Sequence, residues 1–366
     1  MNALQWFELL MNCTIQAVVV IAAAGMLERR TADSTTKTRI WAACFVSLVG
    51  LAVSGLVMPH WRWGNMWRAL AGPDLVMATR VEQAAGCLLA ISWGAGAAIL
   101  VVRWTWQSWQ LRQFLRACPP VSRKQRQRLK SATPKALMQV RRRRVEFRVS
   151  PQQIGPFCYQ LHRPIVCLPL SLLEGDPGEL RHVLLHELTH LQTQHPLQLF
   201  TQRLAQATFW FLPAVWSAGR RASLAREFVC DDAASPNGIS AARYLRVLLQ
   251  FVPCRNELQG AALAGARSAS DLKIRACRLA AGRGGPIAQP PMLAPILVVT
   301  AAIVASQVWL PTNPLASAHA GFSPWPRWTA AALHALDVPV RDFDDSDARL
   351  QLHNLIEDEC ELRSIE

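Results

Sequence analysis

The sequence predicts an α-helical membrane protein with an α+β domain inserted between its third and fourth spans. Three observations carry that expectation. Of 366 residues, 51% are hydrophobic and only 17% are charged, a balance unlike that of ordinary soluble domains. Four runs are apolar enough to be spanning helices, which need roughly 20 residues at 1.5 Å rise to cross the hydrocarbon layer. Between the third and fourth runs lies a long stretch rich in basic, turn-forming and strand-forming residues.

The first run, Phe7 to Leu27, lacks a Lys/Arg-rich start and carries Glu8 near its beginning, so it reads as a retained anchor and not a cleaved leader. The second runs from Ile40 to Met58, the third from Ala84 to Val102 and the fourth from Met292 to Leu310. Trp61, Trp63, Trp67, Trp104 and Trp106 flank the spans like an interfacial aromatic belt. Arg29, Arg30, Lys37 and Arg39 between spans one and two, and the many Lys and Arg after span three, place both segments inside. Beyond Leu310, four Arg face ten acids, which fits the outer side. The expected layout is three spans with short loops over 1–102 and a cytoplasmic domain over 103–291. A fourth span over 292–310 and a short acidic extracytoplasmic tail over 311–366 complete it. Such a chain is a multi-pass protein of a bacterial-type inner membrane.

A formal net charge of +14 invites a nucleic-acid reading, but topology accounts for most of it and no direct nucleic-acid contact is expected. One cluster stands out, the basic loop 123–148, with eleven Lys/Arg and the single acid Glu146. It reads as a solvated cytoplasmic loop held against anionic lipid headgroups. The ten cysteines form no CxxC pair, which argues against a thiolate zinc ribbon or a disulfide framework and leaves them as small apolar fillers.

Within the inserted segment, Trp104 to Leu115 continues span three as a helix that Pro119-Pro120 stops. The alternation Val145-Glu146-Phe147-Arg148-Val149 predicts a short strand, and Pro164 to Pro169 a second one. Leu170 to Glu174 is a helical turn broken at Gly175-Asp176-Pro177. Asp176 then supplies an N-cap, with Pro177 at the first helical position and Glu179 at the third. That helix runs through His190 to about Gln194 and stops before Pro196. Leu197 to Trp216 is apolar enough to resemble a span. Its Gln198, Gln202, Arg203, Gln206 and Pro213 instead suggest a helix along the membrane surface or packed on the inserted domain.

The chemistry-bearing motif is His186-Glu187-Leu188-Thr189-His190. Two histidines four residues apart share one helix face, so both imidazoles reach one tetrahedral Zn²⁺ at roughly 2.0–2.1 Å. Glu187, beside the first ligand, is placed as general base toward a water at the open position. A catalytic zinc usually takes a third protein ligand, for which His182, His195, Glu227, Asp231 and Asp232 are the nearby choices. Glu227 is favoured because Asp231, four residues on, shares its helical face. A carboxylate behind the ligands orients an imidazole. His182 extends too far along the helix axis and reads as a packing histidine, and Asp232 points off the face toward the surface.

Taken together, His186 to His190, Pro196, Leu212-Pro213-Ala214-Val215-Trp216 and Arg226-Glu227 with Cys230-Asp231-Asp232 resemble the BlaR/MecR-type membrane metallopeptidases. Pro156-Phe157, Arg163-Pro164 and Leu168-Pro169 are similar to that family's strand region. The likeness implies a gluzincin-like zinc metallopeptidase domain on the cytoplasmic side, with His186, His190 and Glu227 as metal ligands and Glu187 as base. It also implies a signal-activated cut in a protein substrate such as a transcriptional repressor. Two local departures are Gln160, where a glycine is usual, and His195, which replaces the usual acid before Pro196. The antibiotic-sensing members continue into a penicillin-binding domain, whereas about 55 residues follow span four here. Ser34-Thr35-Thr36-Lys37 matches S-x-x-K only by coincidence. Two other readings remain: a non-catalytic membrane scaffold or signal transducer, and a quality-control protease of HtpX type.

Overall fold

Asp33 starts a helix by accepting a hydrogen bond from the Thr36 backbone N–H, so the S-x-x-K tetrapeptide is simply a capped helix start. It belongs to the second of three long apolar helices, α1 (Ala3–Arg29), α2 (Ser34–Val57) and α3 (Pro73–Ala117). Each is long and apolar enough to cross a membrane. The computed structural model describes residues 3–63, 72–133, 139–140, 143–150, 155–160, 163–235, 241–250, 269–281, 292–310 and 325–340. After α3 come α4 (Arg123–Ala132), β1 (Gln139–Val140), β2 (Arg143–Arg144), β3 (Glu146–Ser150), β4 (Phe157–Gln160) and β5 (Pro164–Pro169). Helices α5 (Leu170–Glu174), α6 (Pro177–Gln192), α7 (His195–Thr208), α8 (Pro213–Ala234), α9 (Ala241–Gln250) and α10 (Ala269–Ala280) follow. Finally come α11 (Leu293–Gln307) and α12 (Arg327–His334). The molecule is mostly helical with a small mixed sheet of order β3-β5-β4, parallel between β3 and β5 and antiparallel between β5 and β4.

Helices α1, α2 and α11 share one apolar core, built on residues such as Val20, Trp41, Phe45, Leu48 and Val298. Where α1 meets α3, a Cβ on Gly86 would lie 2.1 Å from the Ala3 carbonyl oxygen, so only glycine lets the helices come this close. The fourth apolar run is not helical throughout, as the sequence suggested. Its helix covers 15 residues, roughly 22 Å at 1.5 Å per residue, and Val308 to Leu310 continue as extended chain. That chain exchanges backbone hydrogen bonds between Trp309 and both Trp61 and Trp63. Asn12 bonds both backbone groups of Leu310, and Gln16 donates to the Val308 carbonyl. Non-helical backbone in an apolar layer needs such internal partners, and one polar face of α1 supplies them.

Residues Leu197 to Trp216 depart most from the sequence reading. They form a helical hairpin, α7 turning into α8 at Phe209 to Leu212, instead of one helix, although Leu199 of α7 does pack against the core of the inserted domain as the second reading allowed. Ala205, Phe209, Val215, Ala218, Ala222 and Ala225 pack into the core of α1 and α2. At the tip, the Trp93 indole donates to the Thr208 carbonyl at 2.8 Å and the Trp210 indole donates to the Trp93 carbonyl at 3.2 Å. Trp93 lies midway along the apolar stretch of α3, so the hairpin reaches that level and turns back. Pro213 opens α8 at its first turn, where a missing N–H does no harm.

The basic stretch is more ordered than a loop. Ser122 and Gln125 form a capping box at the start of α4, and Arg128 fastens that helix to the Leu173 and Gly175 carbonyls. Arg141 and Arg142 lie outside the described residues, as do Trp67 and most of the acidic tail. In the described part of the tail, the Trp328 indole donates to the Leu56 carbonyl at the end of α2.

The lower part of α3 leaves the apolar layer and packs Leu111, Leu115 and Cys118 against Phe157 of β4 and Cys167 of β5. Arg148 of β3 donates to the Leu115 carbonyl in its last turn, satisfying an orphan acceptor. The sheet, α4, α5 and α6 enclose a second core that includes Val166, Leu168, Leu180, Leu184 and Leu188.

Candidate functional site

Helix α6 is fixed at its start by the Asp176 side chain, which accepts from the Glu179 N–H, with Pro177 in the first turn. Leu180, Leu184, Leu188 and Leu191 are fully buried on its sheet-facing side. That packing sets the rotation of the helix and turns His186, Glu187 and His190 inward, each 2–3% exposed. Their neighbours come from α8, whose Gly219 sits where a Cβ would strike the Gln206 side chain of α7. The two helices thus pack closely and bring Glu227 and Asp231 across from α6.

The structure assembles all five sequence-derived residues. His186 Nε2 and His190 Nε2 lie 3.3 Å apart. The Glu227 carboxylate closes the triangle, with Oε2 3.5 Å from His186 Nε2 and Oε1 3.6 Å from His190 Nε2. Asp231, completely buried, stands 3.5 Å from His186 Nδ1. The closer link between them is a relay: the Tyr244 hydroxyl is 2.8 Å from His186 Nδ1 and donates to Asp231 Oδ1 at 2.7 Å. Glu187 also touches the buried Cys158 thiol of β4.

Several groups here were not legible as site residues. Arg275 of α10 is 1% exposed and reaches Glu227 Oε2 at 2.7 Å through Nη1, while Nη2 and Nε grip both Asp231 oxygens at 2.5 and 2.8 Å. Burial works against its charge, but Asp231 and Glu227 outweigh it and hold the guanidinium protonated. His195, one of the nearby choices for a third ligand, instead meets His190 Nδ1 through its own Nδ1 at 2.8 Å. Burial, aided by the neighbouring Arg226, keeps that imidazole neutral. Cys158 and Cys230 are not mere fillers, because both line the site. Cys230 Sγ falls with the two motif histidines in a group whose ligand atoms lie within 4.8 Å of one another, close enough to hold a metal ion. Burial pushes both thiols up, helped by Glu187 at Cys158 and by Glu227 and Asp231 at Cys230.

Two outlying residues are also placed. His182 is the packing histidine expected, its Nδ1 2.7 Å from the Ala234 carbonyl oxygen. Asp232 is not a free surface acid: Arg278 binds both its oxygens, and the Ser34 hydroxyl at the start of α2 donates to it.

A model of the BlaR1 peptidase M56 family matches residues 8–277, most of the chain and every residue of this cluster. The chain belongs to that family. Regulatory protein BlaR1 of Bacillus licheniformis is 32% identical over 84 residues, which make up 23% of this chain and 14% of that relative. The matched segment is therefore a small part of the relative's length. The family is one of peptidases, and the cluster on α6 and α8 is where the described residues of this member can bind a metal. In this M56 family member each member of the His186, His190 and Glu227 triangle has its own buried partner, respectively Tyr244, His195 and Arg275.

Proposed function

We propose that this chain is a membrane-embedded zinc endopeptidase of regulatory type, in which His186, His190 and Glu227 hold the metal and Glu187 is the general base. The observation that carries this reading is the triangle of 3.3, 3.5 and 3.6 Å among the three ligand groups. Ligands at 2.0–2.1 Å on a tetrahedral ion stand about 3.3–3.4 Å apart, so the donors already have the spacing zinc requires. Glu227 is preferred to Cys230 because its two carboxylate oxygens stand 3.5 and 3.6 Å from the two Nε2 atoms and so close the triangle. When bound, zinc supplies Lewis acidity to a water and to the scissile carbonyl.

The chain's own residues do the rest. Glu187 accepts the proton of the attacking water and passes it to the departing amine nitrogen. Tyr244, backed by Asp231, fixes the His186 ring, and His195 fixes His190, so that both Nε2 atoms face the same point. Arg275 neutralises the carboxylates that would otherwise be buried without compensation. Strand β4 is an edge of the described sheet and places Cys158 against Glu187, so an extended substrate adding to β4 passes the base. The Lys and Arg residues between the first two spans and after the third support a gluzincin-like domain facing the cytoplasm, and the likeness to a regulatory protein supports a cytoplasmic or membrane-proximal protein substrate such as a transcriptional repressor. The basic segment 123–148 is then held against anionic lipid.

The test is digestion of an unstructured protein by the full chain in proteoliposomes. The account requires chelator-sensitive cleavage. It also requires that Glu187→Gln retain zinc and cut at least about a hundredfold more slowly, the lower end of general-base contributions. Equal rates for the two proteins overturn it.

A further inference from the structure

Away from the metal cluster, α3, α7 and α8 enclose a cavity of about 570 Å³. Its walls combine two chemistries. Leu100 and Trp104 of α3, Leu199 of α7 and Trp216 of α8 are apolar, while Arg103, Arg203 and Arg220, one from each helix, are cationic. Among the described lining residues Asp271 is the one acid, so three positive charges there meet one negative. Arg103 is exposed and stands one helical turn from Ile99, which is 67% exposed on the outward apolar face of α3. Trp104 is held by Phe200 at 5.2 Å between ring centroids, and Trp216 by a 2.8 Å hydrogen bond to the Trp210 carbonyl. The cavity therefore sits where a membrane-facing helix surface gives way to arginines.

We propose that this cavity is a binding site for one anionic phospholipid, with the phosphodiester among Arg103, Arg203 and Arg220 and an acyl chain along α3. Guanidinium forks match phosphate oxygens in geometry and charge, and basic pockets between spanning helices on the inner side take acidic headgroups. The volume falls in the range of small-molecule sites and accommodates a glycerophosphate headgroup. Continuity with the apolar face of α3 selects a lipid over a free phosphate ion or an acidic peptide, neither of which would use Leu100, Leu199 and Trp216.

The experiment is native mass spectrometry of the full chain in a neutral detergent, titrated with phosphatidylglycerol, phosphatidylcholine or inorganic phosphate. The wild type should retain one phosphatidylglycerol against detergent exchange and prefer it at least about tenfold over phosphatidylcholine. Arg103→Gln with Arg220→Gln should lose that preference, since two of the three charged forks around the phosphodiester are then gone. Arg103→Lys with Arg220→Lys, which keeps the charge, should retain most of it, separating lost binding from lost folding. Arg181→Gln, on the exposed side of α6, should change nothing. Equal retention of the two lipids, an equal loss in the Arg181→Gln protein, or displacement of the lipid by millimolar phosphate would each overturn the proposal.

Discussion

Replacing Arg275 by leucine would leave Glu227 and Asp231 facing each other in the protein interior without their shared cation. The wild-type guanidinium makes contacts of 2.5, 2.7 and 2.8 Å to the two carboxylates, and Asp231 is 0% exposed. Removing one partner of a buried ion pair costs about 3–5 kcal/mol, and here two acids lose it together, so the upper half of that range applies. Folded proteins hold only about 5–15 kcal/mol in all. At roughly 2–4 °C per kcal/mol for a domain of this size, the metal-free variant should unfold on the order of 10 °C below the wild type. Zinc beside Glu227 would restore part of the missing positive charge, so the deficit should shrink when zinc is present. Arg275→Lys keeps the charge but not the three-point grip and should fall between. The assay is thermal unfolding of the detergent-solubilised chain, followed by circular dichroism with zinc and with a chelator. An Arg275→Leu protein that unfolds within a degree or two of the wild type in chelator would refute the reasoning, and so would a deficit that zinc leaves unchanged.

Other consequences are equally direct. His186→Ala and His190→Ala should each lose most of the roughly one zinc per chain expected of a three-ligand site, as read by elemental analysis, and full occupancy in either would remove that residue from the ligand set. Tyr244→Phe keeps the ring but drops both hydroxyl contacts, so zinc affinity should fall by about 10–100-fold, the usual effect of losing a group that orients a ligand. Competition against a chromogenic chelator measures it, and unchanged affinity would leave Tyr244 with a packing role only. For topology, a reporter active only outside the cytoplasm should be on when fused after Glu366 and off when placed after Asp176. Reporters on the same side would mean an even number of crossings between those points, so that either α11 does not cross or only one arm of the α7–α8 hairpin does.

Local signals were legible because local interactions decide those structures. Asp176, Pro177 and Glu179 specify the start of α6 whatever surrounds it, and four-residue spacing alone aligns His186 with His190. The strands β3 and β5 were legible from alternation and bounding prolines. What the sequence hid depends on long-range contact. Tyr244 reaches His186 from 58 positions away, and Arg275 reaches Asp231 from 44, with no periodicity to announce either. A strongly amphipathic α9 with Tyr244 on its buried side is the one clue that could have pointed there. The hairpin of α7 and α8 was misread because its glutamines looked solvent-facing, whereas Gln202 is spent on Arg226 at 2.6 Å and on the Gly219 carbonyl. Asp232 looked like a surface acid for the same reason, since Arg278 and Ser34 come from distant elements.

The central claim is that two imidazoles and the Glu227 carboxylate hold zinc, with Cys230 nearby but unbound. X-ray absorption at the zinc edge of the purified full-length protein tests this most directly, because nitrogen and oxygen ligands lie at about 2.0–2.1 Å and a thiolate at about 2.3 Å. The account predicts one shell of nitrogen and oxygen scatterers with the outer-shell signature of two imidazoles and no sulfur. A sulfur scatterer at about 2.3 Å would contradict it and make Cys230 the third ligand.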